Sequence, residues 1–483
     1  MFAASASAYR HEAERNTGER KGDGMRKRWL TFAGILIGMS ISGLMQTFLA
    51  TALPTIAKEL GGMELYSWVF GGYMLASTVT LPLFGKIADI FGRRQLYLFG
   101  MALFVLGTLG AGMANKMSLL VAFRVMMGLG AGAIVPAALA SIGDLFDERE
   151  SPRLFGYIGL NQVMANLVGP VAGGVITDVL SWRWGFYLLI PLGILSAILV
   201  GVGLQEQDEA RQGARASRSS LLRQLDWLGA GIVSAGLCLL IFGVQFVGEA
   251  HFIRGAALLI TGGAALYVLV RMEKNHRDPI IPMNFLSNRR LSLTLFSTFL
   301  LGMISNCAIS YVPLFIQDAQ GVNASEGGLL LLPMMAVTGI ASAVSGRIAG
   351  QRLAMIITWL LMLLSFAGLA SFGYLGSKYL VVTATLPLGI GMGLLLPMYM
   401  SIARNLSDYS NRATIASMVQ LSRNLGGAAG VPVLGIWLAQ SAGLQAGLQG
   451  IFICLGVVAF IGWSAALYPA MHTGTPMVKR ELD

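Results

Sequence analysis

Long apolar runs recur along the whole chain, each about the length of a membrane crossing and each bounded by short polar segments. A helix that spans lipid needs about 20 apolar residues. The pattern predicts fourteen such helices, at 30–53, 66–84, 95–114, 118–142, 155–177, 184–204, 228–248, 252–270, 291–316, 327–349, 353–375, 379–403, 413–438 and 447–468. Proline is expected to end the first of them at Pro54. The chain's 61 glycines fall largely inside these runs. Glycine weakens a helix in water but lets membrane helices approach closely.

Composition agrees: 55% of residues are hydrophobic, 12% are charged, and the mean hydropathy is +0.68. Soluble domains carry about 25% charged residues. The net charge of +10 would suggest a nucleic-acid partner in a soluble protein. Position gives it another meaning. With the amino terminus inside, 27 of the 34 Lys and Arg fall in cytoplasmic segments and five in external ones, Arg124 and Arg423 lying within spans. That bias follows the positive-inside rule, with both termini cytoplasmic in the cell membrane. Residues 1–28 end in Arg26-Lys27-Arg28 and are followed by no cleavage site, so the first span is expected to be retained. Met25 is an alternative start. Cys238, Cys307 and Cys454 lie in apolar runs with no ligand or pairing pattern.

An internal repeat organises the spans. Gly85-Lys-Ile-Ala returns as Gly346-Arg-Ile-Ala. Gly128-x-Gly-x-Gly132-x-x-x-Pro136 returns as Gly389-x-Gly-x-Gly393-x-x-x-Pro397, and Gln162-x-x-x-Asn166-Leu167 as Gln420-x-x-x-Asn424-Leu425. Pro54 and Pro313 complete a set with offsets of 258–261 residues. The expected fold is an all-α membrane bundle of two pseudo-symmetric six-helix halves. They occupy 29–204 and 291–470, with a cytoplasmic tail (1–28), a linker (205–226), a two-helix insert (227–271), a connector (272–290) and a final tail (471–483). Duplicated halves around a midplane site are a common plan for secondary transporters.

Several residues carry chemistry. Gly85-Lys-Ile-Ala-Asp89-Ile-Phe-Gly92-Arg93-Arg94 joins the second and third spans. Gly92 suits a tight turn, and Asp89 and Arg93 are spaced to pair across one helical turn. Arg124 sits within a span, where a charge costs about 2.5–3.5 kcal/mol, so it requires a partner or a function. Arg423 lies deeper in the thirteenth span. In Gly169-Pro170-x-x-Gly173-Gly174 the proline removes a backbone donor and the glycines thin the helix for a close neighbour. Gln46, Thr47, Asn161, Gln162, Asn166, Asn306, Gln420 and Asn424 sit inside spans of both halves and are expected to line a shared cavity.

These motifs resemble the major facilitator superfamily, and in particular its fourteen-helix drug:H+ antiporter branch. The 85–94 segment is similar to the family's loop signature. Arg124 with Gly128-Leu-Gly130 is similar to its fourth-helix arginine motif, although Met127 replaces a usual glutamine. Gly169-Pro170-x-x-Gly173-Gly174 is similar to its antiporter motif, Trp182-Arg183-Trp184-Gly-Phe186-Tyr187 to its entry into helix six, and Tyr311-Val-Pro313-Leu-Phe-Ile-Gln317 to its second half. The resemblance implies multidrug efflux of hydrophobic or amphipathic small molecules, by exchange for protons. Arg124 and Arg423 would then serve coupling or substrate charge, and Gly85, Asp89, Gly92, Arg93, Arg94 and Asp144 gating.

One departure matters. The family usually carries an Asp nine residues before the proline of Ala52-Leu53-Pro54, and here that position is Met45. A buried carboxylate is the natural proton carrier, because burial raises its pKa toward the working range. Its loss leaves three routes: protons carried by Asp89, Asp144, Asp178 or Glu326 nearer the interface, a neutral or anionic substrate, or weak coupling as in a facilitator or lipid flippase. An enzyme is disfavoured, since the four histidines lie in loops or tails without His-Glu-x-x-His. A phosphate-cradling Gly-x-x-x-x-Gly-Lys-[Ser/Thr] loop is missing. No cofactor, metal or nucleic acid is expected; the partners are the bilayer, protons and small amphipathic substrates, and the chain is expected to act as a monomer.

Overall fold

The structure, a computed structural model, describes residues 2–146, 151–204, 227–248, 252–273, 288–348, 352–372, 378–406 and 412–468. The side chains of residues 1–24 and of some further helical positions are outside that description, as are the linker 205–226, most of the connector and the tail after Tyr468.

Among the described residues the chain is helical, with one 3₁₀ turn at Met63–Leu65. The first half contains α1 (Phe2–Leu60), α2 (Tyr66–Phe91), α3 (Arg93–Gly112), α4 (Met117–Leu145), α5 (Ser151–Val179), α6 (Trp182–Tyr187) and α7 (Leu189–Gly203). The insert is α8 (Trp227–Gly248) and α9 (Phe252–Glu273). The second half contains α10 (Arg289–Gln320), α11 (Ala324–Ile348), α12 (Arg352–Phe372), α13 (Lys378–Asn405), α14 (Arg412–Gln440) and α15 (Leu444–Leu467). A break at Leu188 divides α6 from α7 within one passage, which gives fourteen passages among the described residues. Nine of them, among the described residues, contain windows apolar and long enough to cross a membrane. The protein is therefore a multi-pass membrane protein. We call the face where α1 enters the bundle proximal, and the face where α1 ends distal.

Two sequence expectations need correction. Pro54 does not end the first span, because α1 runs through it to Leu60. A helix-interior proline forfeits one hydrogen bond and crowds the preceding turn. Here the turn is held by burial, since Leu49, Ala50, Leu53 and Ile56 all pack in the core. Asp89 and Arg93 do not share a helix. Gly92, at φ 93°, breaks the chain between α2 and α3, so the two residues do not stand on successive turns.

Each half is built on tight, glycine-mediated pairs. In the first half α1 packs on α5 and α7, and α4 on α2 and α3; in the second α10 packs on α14, α13 on α11, and α12 on α13 and α15. The repeat offset maps α1 onto α10, α2 onto α11 and α5 onto α14. Beside a lesser contact of α1 with α11, the halves meet along three main lines, α1 with α10, α2 with α14 and α5 with α11. The last two are therefore the same seam used twice by pseudo-symmetry. The insert breaks that equivalence: α8 packs against both α2 and α14, with Phe242 stacked on Trp68 at 5.4 Å.

Candidate functional site

An α-helix turns about 100° per residue, so α5 presents distinct faces. Asn161, Ala165, Gly169 and Gly173 form the face toward α1. The Asn161 amide donates to the Leu36 carbonyl (3.2 Å) and accepts from Ser40 Oγ (2.6 Å). Thr47 Oγ1 of α1 donates to the Ala165 carbonyl (3.0 Å), and a Cβ on Gly169 would collide with that hydroxyl. Val163, Pro170 and Gly174 face α11. Leu160, Met164, Val168 and Val175 form an exposed apolar stripe on the far side. Gln162 and Asn166 project between the α1 and α11 faces, toward the bundle axis. Gln162 is exposed and donates from Nε2 to Asn166 Oδ1 (3.1 Å).

The second half repeats this arrangement. On α14, Ser422, Gly426 and Gly430 pack on α10, with Ser422 Oγ donating to the Leu295 carbonyl (2.7 Å). Gly435 and Pro432 meet Ser67 and Gly71 of α2. Between those faces Gln420 Nε2 donates to Asn424 Oδ1 (3.2 Å), the counterpart of the Gln162–Asn166 pair. Asn306 of α10 donates to its own Gly302 carbonyl (2.9 Å) and lies against Gly427. Gln46 is half-buried. Each half thus contributes one amide pair, Gln162–Asn166 on α5 and Gln420–Asn424 on α14. Asn161 and Thr47 belong instead to the α1–α5 contact, where their hydrogen bonds are used up.

Arg124 is fully buried. Its Nε donates to the Val69 carbonyl (3.0 Å) and its guanidinium lies 4.3 Å from the Tyr73 ring centre. Tyr73 OH is bonded to Ser42 Oγ at 2.7 Å, which links the arginine to α1. Among the described residues both terminal guanidinium nitrogens lack a hydrogen-bond partner. A cation over an aromatic face gains about 2 kcal/mol when desolvated. Arg423 is half-buried, and its backbone carbonyl receives the close approach of Gly302. Met45 is fully buried in the core. The carboxylates whose side chains are described, Glu59, Glu64, Asp178, Asp318 and Glu326, all lie at or near helix ends.

Toward the distal face the two halves are joined. Gln317 Nε2 donates to the Thr51 carbonyl (2.8 Å), and Tyr66 OH to the Ser310 carbonyl (3.2 Å). Tyr66 stacks on Tyr311, whose hydroxyl donates to the Val431 carbonyl (2.6 Å). Asp178 at the end of α5 accepts from the Ser325 backbone N–H at the start of α11 (2.7 Å). The proline-glycine motif makes this join possible. Gly173 fits against Phe48 and Thr51 of α1, Gly174 against the backbone of Ala324 and Ser325, and Gly328 of α11 against the Pro170 carbonyl. Thr47, Ala50, Pro170, Ala308, Ile309, Pro313, Leu331, Met334 and Met335 close around an apolar cleft with no room for a water-sized molecule. Sequence reasoning named the glycines but missed Tyr66, Tyr73, Tyr311 and Gln317 as members of the site. Tyr311 and Gln317 stood in the Tyr311-Val-Pro313-Leu-Phe-Ile-Gln317 motif without an assigned role, and Tyr66 had as its signal a tyrosine at the distal end of an apolar run.

On the proximal face Arg93 Nη1 donates to the Ala140 carbonyl (2.7 Å), tying the start of α3 to the end of α4, and Arg94 Nε is buried. The side chains of Gly85, Asp89 and Asp144 lie outside the described residues.

A sequence model of the Major Facilitator Superfamily matches residues 35–431. The chain is 33% identical over 414 residues to the multidrug transporter protein MdtP of Bacillus subtilis (strain 168), covering 85% of this chain and 75% of that one. It is 30% identical over 316 residues to multidrug resistance protein 3 of the same organism, covering 65% of this chain and 60% of that one. In structure it is similar to the human organic anion transporter MFSD10 (TETRAN), with a TM-score of 0.60 at 15% identity, covering 92% of this chain and 99% of that one.

Proposed function

The chain belongs to the major facilitator superfamily, and from that premise we propose that it exports hydrophobic and amphipathic small molecules across the cell membrane by alternating access of its two halves. It is a transporter and not an enzyme. The observation that carries the reading is the gradient along the bundle axis. The halves interlock distally through Gln317–Thr51, Tyr66–Ser310 and Asp178–Ser325, while further toward the proximal face Gln162 is exposed between the α1 and α11 faces of α5. A binding site sealed at one end and wet at the other is one of the two states that alternating access requires. Export as the direction rests on the multidrug transporters it is similar to. Cytoplasmic placement of the proximal face, and of both termini, rests on the lysine and arginine bias.

The cargo we propose is neutral or anionic. Met45 offers no charge to a cation, and the half-buried Arg423, close to the Gln420–Asn424 pair, offers one to an anion. Coupling to protons is the primary reading by kinship. The burial of a thioether at position 45 favours a second, an uncoupled facilitator or amphipath flippase. Flux in proteoliposomes of the full chain separates them, with neutral, anionic and cationic dyes and the pH gradient and membrane potential imposed separately. Antiport predicts dye movement that reverses when the pH gradient is reversed. Movement that follows only the dye gradient leaves the facilitator, and no movement of any dye removes the proposal.

A further inference from the structure

We propose that the cargo is an organic anion whose carboxylate docks on Arg423, so that the second half holds its charged end and its apolar body lies toward the first. The inference narrows the cargo of the export reading and rests on it.

The repeat is even-handed in its amides. At the repeat's offset Gln46 of α1 answers to Asn306 of α10, and Gln162 and Asn166 of α5 answer to Gln420 and Asn424 of α14. Charge breaks the symmetry. Position 423 answers to Ala165, which is buried and whose carbonyl accepts from Thr47 of α1. The second half therefore carries a cation where the first carries a methyl group.

The 100° step of an α-helix fixes the direction of that cation. Gly426 and Gly430 press on α10, whereas Gly427 meets both Asn306 of α10 and Met74 of α2, across the gap between the halves. Position 423 points between these two directions, one turn nearer the proximal face. Helical side chains lean toward the amino terminus of their own helix, and for α14 that end is proximal. The guanidinium is thus directed along the gap and away from the distal seal. Exposure changes in the same sense. Gly426, Gly427 and Ala428 are buried, while Gln420, Arg423 and Asn424 each keep part of their surface open.

A cation inside a span is costly and is ordinarily paired. Among the described residues no hydrogen bond or ion pair engages the Arg423 side chain. The described carboxylates, at or near helix ends, leave it without a counter-charge at its own depth. Arg124 differs, because the Val69 carbonyl and the Tyr73 ring hold it and none of its surface is open. Of the two, Arg423 is the cation that an incoming anion can reach. Its planar fork matches a carboxylate through two parallel hydrogen bonds. The Gln420–Asn424 pair on the same turns borders it with amides that suit the polar neighbourhood of such an end. A neutral amphipath would leave the charge unanswered, and a cationic one would meet repulsion.

The test compares a dansyl alkanoate with its carboxamide of equal chain length, a pair that differs at neutral pH only in the charge of one end. Flux in proteoliposomes of the full chain is measured above that of protein-free vesicles. The ratio of the two KM values, acid over amide, is read for the parent, Arg423→Gln, Arg423→Lys and Gln420→Glu. The last variant places a carboxylate three residues before Arg423, close enough to pair with it on the helix surface, with almost no change of shape. In the parent the acid should have the lower KM. Arg423→Gln and Gln420→Glu should each raise the ratio about tenfold, equivalent to about 1.4 kcal/mol. Arg423→Lys should raise it less, since the charge stays and only the fork is lost. A ratio unchanged in either the Gln or the Glu variant overturns the proposal. Should Arg423→Gln fail to fold, Gln420→Glu decides. A parent that moves the amide and not the acid would keep export and lose the anion site. A parent that moves neither compound would remove the export reading itself.

Discussion

At the scale of single residues the site is an argument about where charge is held and where it is missing. Arg124 spends one guanidinium nitrogen on the Val69 carbonyl and its face on Tyr73, and Ser42 orients that tyrosine. A lysine supplies a point charge without the planar fork or the stacking surface. Arg124→Lys is therefore expected to lower transport about tenfold or more, equivalent to about 1.4 kcal/mol of barrier. Tyr73→Phe keeps the ring and loses only the bond to Ser42, at a cost of about 1 kcal/mol in stability. Dye flux and thermal unfolding in detergent measure both, and a Lys variant as active as the parent would show that charge alone matters. Met45→Asp is expected to add cationic dyes to the transported set and to make their flux follow the pH gradient; unchanged selectivity would show that the missing acid is not what excludes them. Arg124, Arg423 and the amide pairs were legible in the sequence, because a charge or amide inside a twenty-residue apolar run stands out. Tyr66 and Tyr73 were not, and Tyr311 and Gln317 were visible only as parts of a motif without a role. Tyrosines near span ends are ordinary interfacial residues, and their carbonyl partners Ser310 and Val431, with Thr51 for Gln317, lie in other helices.

At the scale of helices, glycine placement decides which elements touch. Gly169 and Gly173 press α5 onto α1, whereas Gly174 and Gly328 press it onto α11 in the other half. The sequence motif thus holds two contacts of different kinds, one inside a half and one between halves, and spacing alone did not separate them. Gly174→Ala forces a methyl against the Ala324 backbone, and overpacking of this kind costs about 1–3 kcal/mol. The cost falls on the distally closed state, where the two backbones meet. The expected result is a population shifted toward distal opening, read as faster labelling of a cysteine at Leu331 by a membrane-impermeant maleimide from the distal side. Asp178→Ala removes the bond to the start of α11, and loss of a capping contact costs about 1 kcal/mol. It should shift labelling in the same direction by a smaller factor. Labelling slower than in the parent would mean that these contacts hold the distal side open. Pro54 shows the limit of local rules: read alone it marks a helix end, yet α1 continues because surrounding buried residues fix the turn. Gly92 gave the opposite lesson. The break at φ 93° separates α2 from α3, so a spacing of four there is not one turn of a continuous helix.

At the scale of the whole molecule the duplication was the most legible feature, since a shared offset of 258–261 residues survives where individual span ends do not. It predicted equivalent helices but not their contacts. That α2 meets α14 while α5 meets α11, and that α8 lies over only the first of these seams, required the fold. In the proposed cycle the two halves exchange a distal seal for a proximal one around the two amide pairs. Paired spin labels on a cysteine-replaced chain in lipid test this most directly, one pair distal (Val179 and Asn323) and one proximal (Tyr157 and Val344), with distances read by pulsed dipolar spectroscopy with and without a transported dye. The account predicts that the dye lengthens the distal distance and shortens the proximal one together. Distances that stay fixed, or that lengthen and shorten in the same sense at both ends, would contradict it.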